Sequence, residues 1–127
     1  MPINSRTKGA AGERELCHTL KELFGWEARR TQQHCGNAGD SDVLILELPD
    51  VFVESKRVQK LNVPEAIEKA ADQCHGKLPI LCHRTNRARE GWLLTIRLKD
   101  LADLSRMVES IGTRPGPHGP ASTNGTT

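Results

Sequence analysis

Glu54 and Lys56 stand two residues apart in the run VFVESKRV, Val51–Val58. A strand turns alternate side chains to the same face, so this run offers a carboxylate and an ammonium side by side. Just before it lies DVLILEL, Asp42–Leu48, with Pro49 and Asp50 between, which reads as a β-hairpin. A three-residue connection, Leu48-Pro49-Asp50, pairs Leu44 with Glu54 and Asp42 with Lys56. A slip of one residue would send Asp42 to the other face. In the expected register Asp42, Glu54 and Lys56 share one face, and a first helix packed there adds Glu13. Three carboxylates so close repel one another unless a cation lies among them. Hard oxygen donors of this kind suit Mg²⁺ or Mn²⁺, which keep several waters and bind phosphate oxygens. Such an ion polarises a phosphodiester and acidifies a bound water, while Lys56 orients or deprotonates that water or balances transition-state charge. The plainer alternative is a surface ion pair between Glu54 and Lys56, worth about 0–1 kcal/mol, which leaves Asp42 and Glu13 unexplained.

The elements that must position these groups follow from periodicity. Residues 5–24 read as a helix, with Ala10, Glu13, Leu16, Cys17, Leu20, Leu23 and Phe24 at three- and four-residue steps and Gly25 at its end. Glu13 thus lies on an apolar stripe, where an unpaired charge is costly; fraying of the helix end is the plain alternative. Trp26–Arg30 reads as a short strand and 31–40, with Gly36, Asn37 and Gly39, as a loop. A second helix is expected over Val63–His75, with Pro64 in its first turn. Leu78–Cys82 and Gly91–Leu98 read as strands joined by an Arg-rich turn. A last helix, Leu98–Ile111, is expected to turn Leu101, Leu104, Met107, Val108 and Ile111 inward. The order αβββαββα makes an α/β fold with a central mixed sheet flanked by helices. Residues 1–111 form the expected domain, and 112–127, rich in Gly, Pro, Ser and Thr, read as a disordered tail.

A chain of 127 residues suits one domain. With two Trp, two Phe and no Tyr, its core must rest on Leu, Ile and Val. The formal charge is +2, from 18 basic and 16 acidic side chains, a sum that hides three basic clusters. These are Arg6, Lys8 and Arg14; Arg29 and Arg30; and Arg84, Arg87 and Arg89, with Arg57 beside the Glu-x-Lys pair. A basic rim around an acidic centre would give the same small sum, although each cluster alone is also what a solvated surface looks like. Arg29 and Arg30 are the first choice, because the loop they feed leads to Asp42; the 84–89 turn ranks lower, since it could lie at the far end of the sheet. The opening residues lack the apolar run of about 7–15 residues of a secretory signal, and no stretch approaches a membrane span. A cytoplasmic protein with reduced thiols is expected. Each of the four cysteines neighbours a histidine, yet no CxxC or HxxxH spacing is present, so buried thiols are expected rather than zinc.

Taken together, these residues resemble the PD-(D/E)xK nuclease superfamily, and within it the archaeal-type Holliday junction resolvases and their phage relatives. The resemblance runs from about Lys8 to Val108. It rests on Gly9-Ala10-Ala11-Gly12-Glu13-Arg14-Glu15-Leu16, on Gly39-Asp40-Ser41-Asp42-Val43, on Val53-Glu54-Ser55-Lys56, and on Gln73 in the next helix. It implies a restriction-endonuclease-like fold, with Glu13, Asp42 and Glu54 metal-associated, the Ser55 carbonyl near the metal, Lys56 catalytic and Gln73 accessory. Gly39-Asp40-Ser41 replaces the family's usual proline, so Asp40 competes with Asp42 for the ligand role; Asp42 is preferred because it begins the apolar strand. By this resemblance the chain is expected to be an Mg²⁺-dependent endonuclease on branched DNA, working as a homodimer with no small-molecule cofactor. A less selective nuclease for flaps, single strands or duplex, and a non-catalytic nucleic-acid-binding module, are the alternatives.

Overall fold

The computed structural model describes residues 5–31, 41–87 and 89–112, with side chains from Gly9 onward. The expected glycine loop, Asp40, the Arg6 and Lys8 side chains and the tail beyond Gly112 lie outside the described residues.

The chain runs α1 (Ser5–Phe24), β1 (Ala28–Arg30), β2 (Val43–Ile45), β3 (Val51–Arg57), α2 (Val63–Gln73), β4 (Leu78–Arg84), β5 (Leu93–Ile96) and α3 (Leu101–Ile111), with one 3-10 turn (Leu98–Asp100) before α3. This is the αβββαββα order read from the sequence. The five strands lie in sequence order in one mixed sheet; β3 and β4 are parallel and the other neighbours antiparallel.

Strand alternation divides the sheet between two layers of helix. Val51 and Val53 of β3 join Leu16 and Leu20 of α1, Val43, Ile45, Ile80 and Cys82 in the main core, to which α3 adds Leu104, Met107 and Ile111. Phe52, pointing the other way, packs on Ala70 and Cys74 of α2. Burying apolar side chains on both faces is the chief stabilising term of such a layered fold. Gly12 permits the close approach of α1 to the sheet, since a Cβ there would meet the Arg57 Cβ at 3.2 Å.

Four expectations need correction. The hairpin register differs by two residues: Val43 faces Val53, where a three-residue connection would have it face Ser55. β2 stops at Ile45 because the chain turns early, with Leu48 N–H bonded to the Ile45 carbonyl and Val51 N–H to that of Leu48. A two-residue slip keeps every side chain on its expected face. Second, α1 packs on the face opposite Phe52 and Glu54, not on theirs. Third, Leu101 and Val108 of α3 are exposed rather than inward, as are Leu23 and Phe24 at the end of α1. Finally, Arg84 belongs to β4 and stands beside Arg57, so the following turn leaves the sheet at the end where β3 carries Lys56.

Candidate active site

Asp42 is positioned by its own backbone. Its N–H donates to the Val53 carbonyl at 3.0 Å, and its carbonyl accepts the Thr31 N–H at 3.1 Å, so it is gripped from β3 and from the end of β1. Buried Ser41 tightens the entry by donating its hydroxyl to the Val43 carbonyl at 2.6 Å. The side chain is tied as well: Asp42 Oδ2 accepts the Ser55 backbone N–H at 3.0 Å. Extending the Val43–Val53 pairing by one residue brings Asp42 opposite Glu54.

Glu54 is the most perturbed carboxyl of the site. Burial, then the neighbouring charge of Asp42 and a hydrogen bond shared with it, push Glu54 up to about 7; Lys56 and Lys69 oppose the shift. Lys56 Nζ lies 3.9 Å from Glu54 Oε2, so the pair is a loose contact rather than a hydrogen-bonded one. Asp42, Glu54 and Lys56 are therefore brought together, as the sequence reading expected.

Glu13 sits differently. Its Oε1 accepts from Arg30 Nε at 2.9 Å, and its side chain is only 16% exposed, so the half-buried carboxylate has found a cation within the chain. Burial raises its pKa, the Arg30 hydrogen bond opposes that, and the charge of Asp42 adds to the rise. Glu13 thus senses Asp42 from the α1 side of the sheet. Gln73 is exposed at the end of α2, the helix that covers the Phe52 face. Among the described residues, no group of three His, Cys, Asp or Glu side chains converges as metal ligands do.

The basic candidates separate. Arg30 pairs with Val43 and shares the α1 face, where Glu13 engages it; Arg29 pairs with Leu44, is exposed, and faces the Glu54 side. Arg14, Arg87 and Arg89 are exposed. Arg57 and Arg84 approach one oxygen of Glu15, at 3.7 and 3.5 Å.

Two residues to which the sequence assigns no role in this site bear on it. His83 is the β4 partner of Lys56, and its Nε2 meets Thr95 Oγ1 at 2.9 Å. Lys69 of α2 acts electrostatically on Glu54. The parallel β3–β4 register is what reveals His83, and no local pattern encodes it. Its neighbour Cys82 points into the main core, where burial pushes the thiol up to about 12. Among the described residues no helix is long and apolar enough to cross a membrane.

A scan of protein-family models and a search of curated proteins each gave no match. Among solved structures, the chain is similar to Hjc, a Holliday junction resolvase from the archaeal hyperthermophile Archaeoglobus fulgidus, at 19% identity and a TM-score of 0.46, over 70% of this chain and 72% of that one. Likeness at that level leaves function to be argued from this chain's own side chains.

Proposed function

We propose that this chain is a metal-dependent endodeoxyribonuclease that hydrolyses phosphodiester bonds, selective for branched DNA and active as a homodimer. The observation that carries the reading is the meeting of the Asp42 and Glu54 carboxyls, with Lys56 Nζ 3.9 Å from Glu54. A half-buried acid pair in which one member rises to about 7 has too little positive charge around it. A hard divalent cation fits that deficit, because Mg²⁺ is commonly held by one or two carboxylates, with waters and phosphate oxygens completing its shell. Asp42 and Glu54 would hold Mg²⁺ or Mn²⁺, with the Ser55 carbonyl as a further donor and Glu13, held by Arg30 on the α1 side, as an outer member of the site. An ion bound there supplies Lewis acidity toward the phosphodiester and an acidified water. The Ser55 N–H keeps one Asp42 oxygen turned inward, and Lys56 orients the attacking water or balances charge at phosphorus. Glu13 contributes to the extent that Arg30 releases it, and Gln73 assists from α2.

Contact with DNA is assigned to Arg29 first, then to Arg14, Arg57, Arg84, Arg87 and Arg89, with Arg6, Lys8 and Arg30 as lesser candidates. Branched DNA as substrate rests on the sequence resemblance to resolvases. A two-fold dimer would present two sites to two strands. The test is one gel comparing a labelled four-way junction, a flap, a single strand and a supercoiled plasmid in Mg²⁺. Preferential cutting of the junction supports the reading; equal cutting of all four replaces it with a less selective nuclease; no cutting of any leaves a binding module.

A further inference from the structure

Arg57 and Arg84 end β3 and β4 as direct neighbours in the parallel register, one residue beyond Lys56 and His83. Contact of Arg57 with Gly12 places both on the α1 face, at the end of the sheet that carries Lys56. Their side chains are 31% and 18% exposed, so both are partly withdrawn from water yet still reachable. Glu15 Oε1 lies between them, at 3.7 Å from Arg57 Nη1 and 3.5 Å from Arg84 Nη1. Neither approach makes a hydrogen bond. Glu15 Oε1 and Arg57 Nε are both buried without a hydrogen-bond partner, which is unusual for groups of such strong hydrogen-bonding capacity. Arg84 Nε is spent on the Thr85 carbonyl at 3.1 Å. Two guanidiniums therefore flank a single carboxylate oxygen that satisfies neither, and the cluster carries one positive charge in excess.

An oxygen anion seated between paired guanidinium forks is what a phosphate group provides, with better reach and more acceptors than one carboxylate. We propose that Arg57 and Arg84 form one composite seat for a DNA backbone phosphate, and that Glu15 is the resident competitor occupying it when DNA is absent. This rests on the nuclease reading and deepens it. The seat lies at the Lys56 end of the sheet but on the opposite face from Glu54, so the phosphate it takes is not the one being cleaved. Glu15 sets the affinity by holding the arginines together while offsetting half of their charge.

The test is binding of a labelled four-way junction and a duplex of equal length to the full chain, in Ca²⁺ over a range of salt, with melting temperatures recorded for each variant. Arg57→Ala and Arg84→Ala should each weaken binding by roughly three- to tenfold. The double variant should be little worse than either, because both arginines serve one phosphate, and its salt slope should fall by about one unit. Glu15→Gln should tighten binding by roughly threefold or more, a direction that a purely structural ion cluster would not give. Arg57→Lys and Arg84→Lys keep the charge and guard against misfolding; they should bind between wild type and the alanine variants. Wild-type binding left unaltered by Glu15→Gln and by both arginine variants overturns the seat alone. Absence of DNA binding by the wild type overturns the nuclease reading and the seat together.

Discussion

Asp42 Oδ2 accepts the backbone N–H of Ser55 at 3.0 Å, which ties the carboxylate at the start of β2 to the strand that carries Glu54 and Lys56. The hairpin thus enforces an acid pair whose repulsion the fold itself sustains. Such strain is expected where a ligand relieves it, and each of the first two predictions probes that relief.

Without metal, Glu54 should make stability fall with rising pH. Its folded-state carboxyl titrates at about 7 against an ordinary 4.5, so between those values the native state holds a proton that the unfolded chain has lost. The contribution is fully present below about 4.5 and is lost as pH rises through about 7. In EDTA, the melting temperature should drop between pH 5 and pH 8, and Glu54→Gln should flatten that drop. An equal drop in Glu54→Gln would assign it to other groups.

Divalent metal should reverse the loss. At pH 8, Mg²⁺ or Mn²⁺ well above its dissociation constant stabilises the native state by roughly 3 kcal/mol at a hundredfold excess. The rise in melting temperature should vanish in Asp42→Asn and Glu54→Gln, both of which should fold and lose at least about a hundredfold in cleavage. Thermal shift against metal concentration measures it.

Arg29 and Arg30 should behave differently despite being adjacent. Arg29→Ala should leave stability within about 0.5 kcal/mol and lower the salt slope of DNA binding by about one unit. Arg30→Ala strips the half-buried Glu13 of its hydrogen bond and should cost about 1–3 kcal/mol, with Glu13→Gln recovering part of it. Denaturant unfolding of the two single variants and the double variant separates the outcomes.

Gly12→Val should destabilise the protein by about 1–3 kcal/mol, because a branched side chain would press on Arg57, whose Cβ a Cβ at this position would already meet at 3.2 Å. Chemical denaturation reads this directly, and a variant as stable as wild type would mean that α1 can shift outward freely.

Much of this was legible before the structure. α1 begins and ends where its apolar periodicity and Gly25 place it, and the alternation in VFVESKRV sends Glu54 and Lys56 to one face. The hairpin register was not legible, because the early turn at Ile45–Leu48 depends on tertiary bonds, including the Glu27 N–H to the Glu47 carboxylate at 2.9 Å. Nor was the face on which α1 packs. Glu13 lies on its inner stripe as expected, but the carboxylate meets Arg30 of β1, an encounter between residues 17 apart that spacing alone does not encode. His83 and Glu15 carry no role that the sequence alone assigns, for the same reason, since their neighbours are set by the parallel pairing of β3 with β4 and by the seating of α1.

The central claim is most directly tested by single-turnover cleavage of an end-labelled four-way junction by wild type and Lys56→Ala, in Mg²⁺ and in excess EDTA. The account predicts cutting by wild type in Mg²⁺, none in EDTA, and a loss of about a hundredfold or more in Lys56→Ala, the usual size of a lost proton-transfer or charge-balancing group. Full activity in EDTA, or a Lys56→Ala enzyme as fast as wild type, would contradict it.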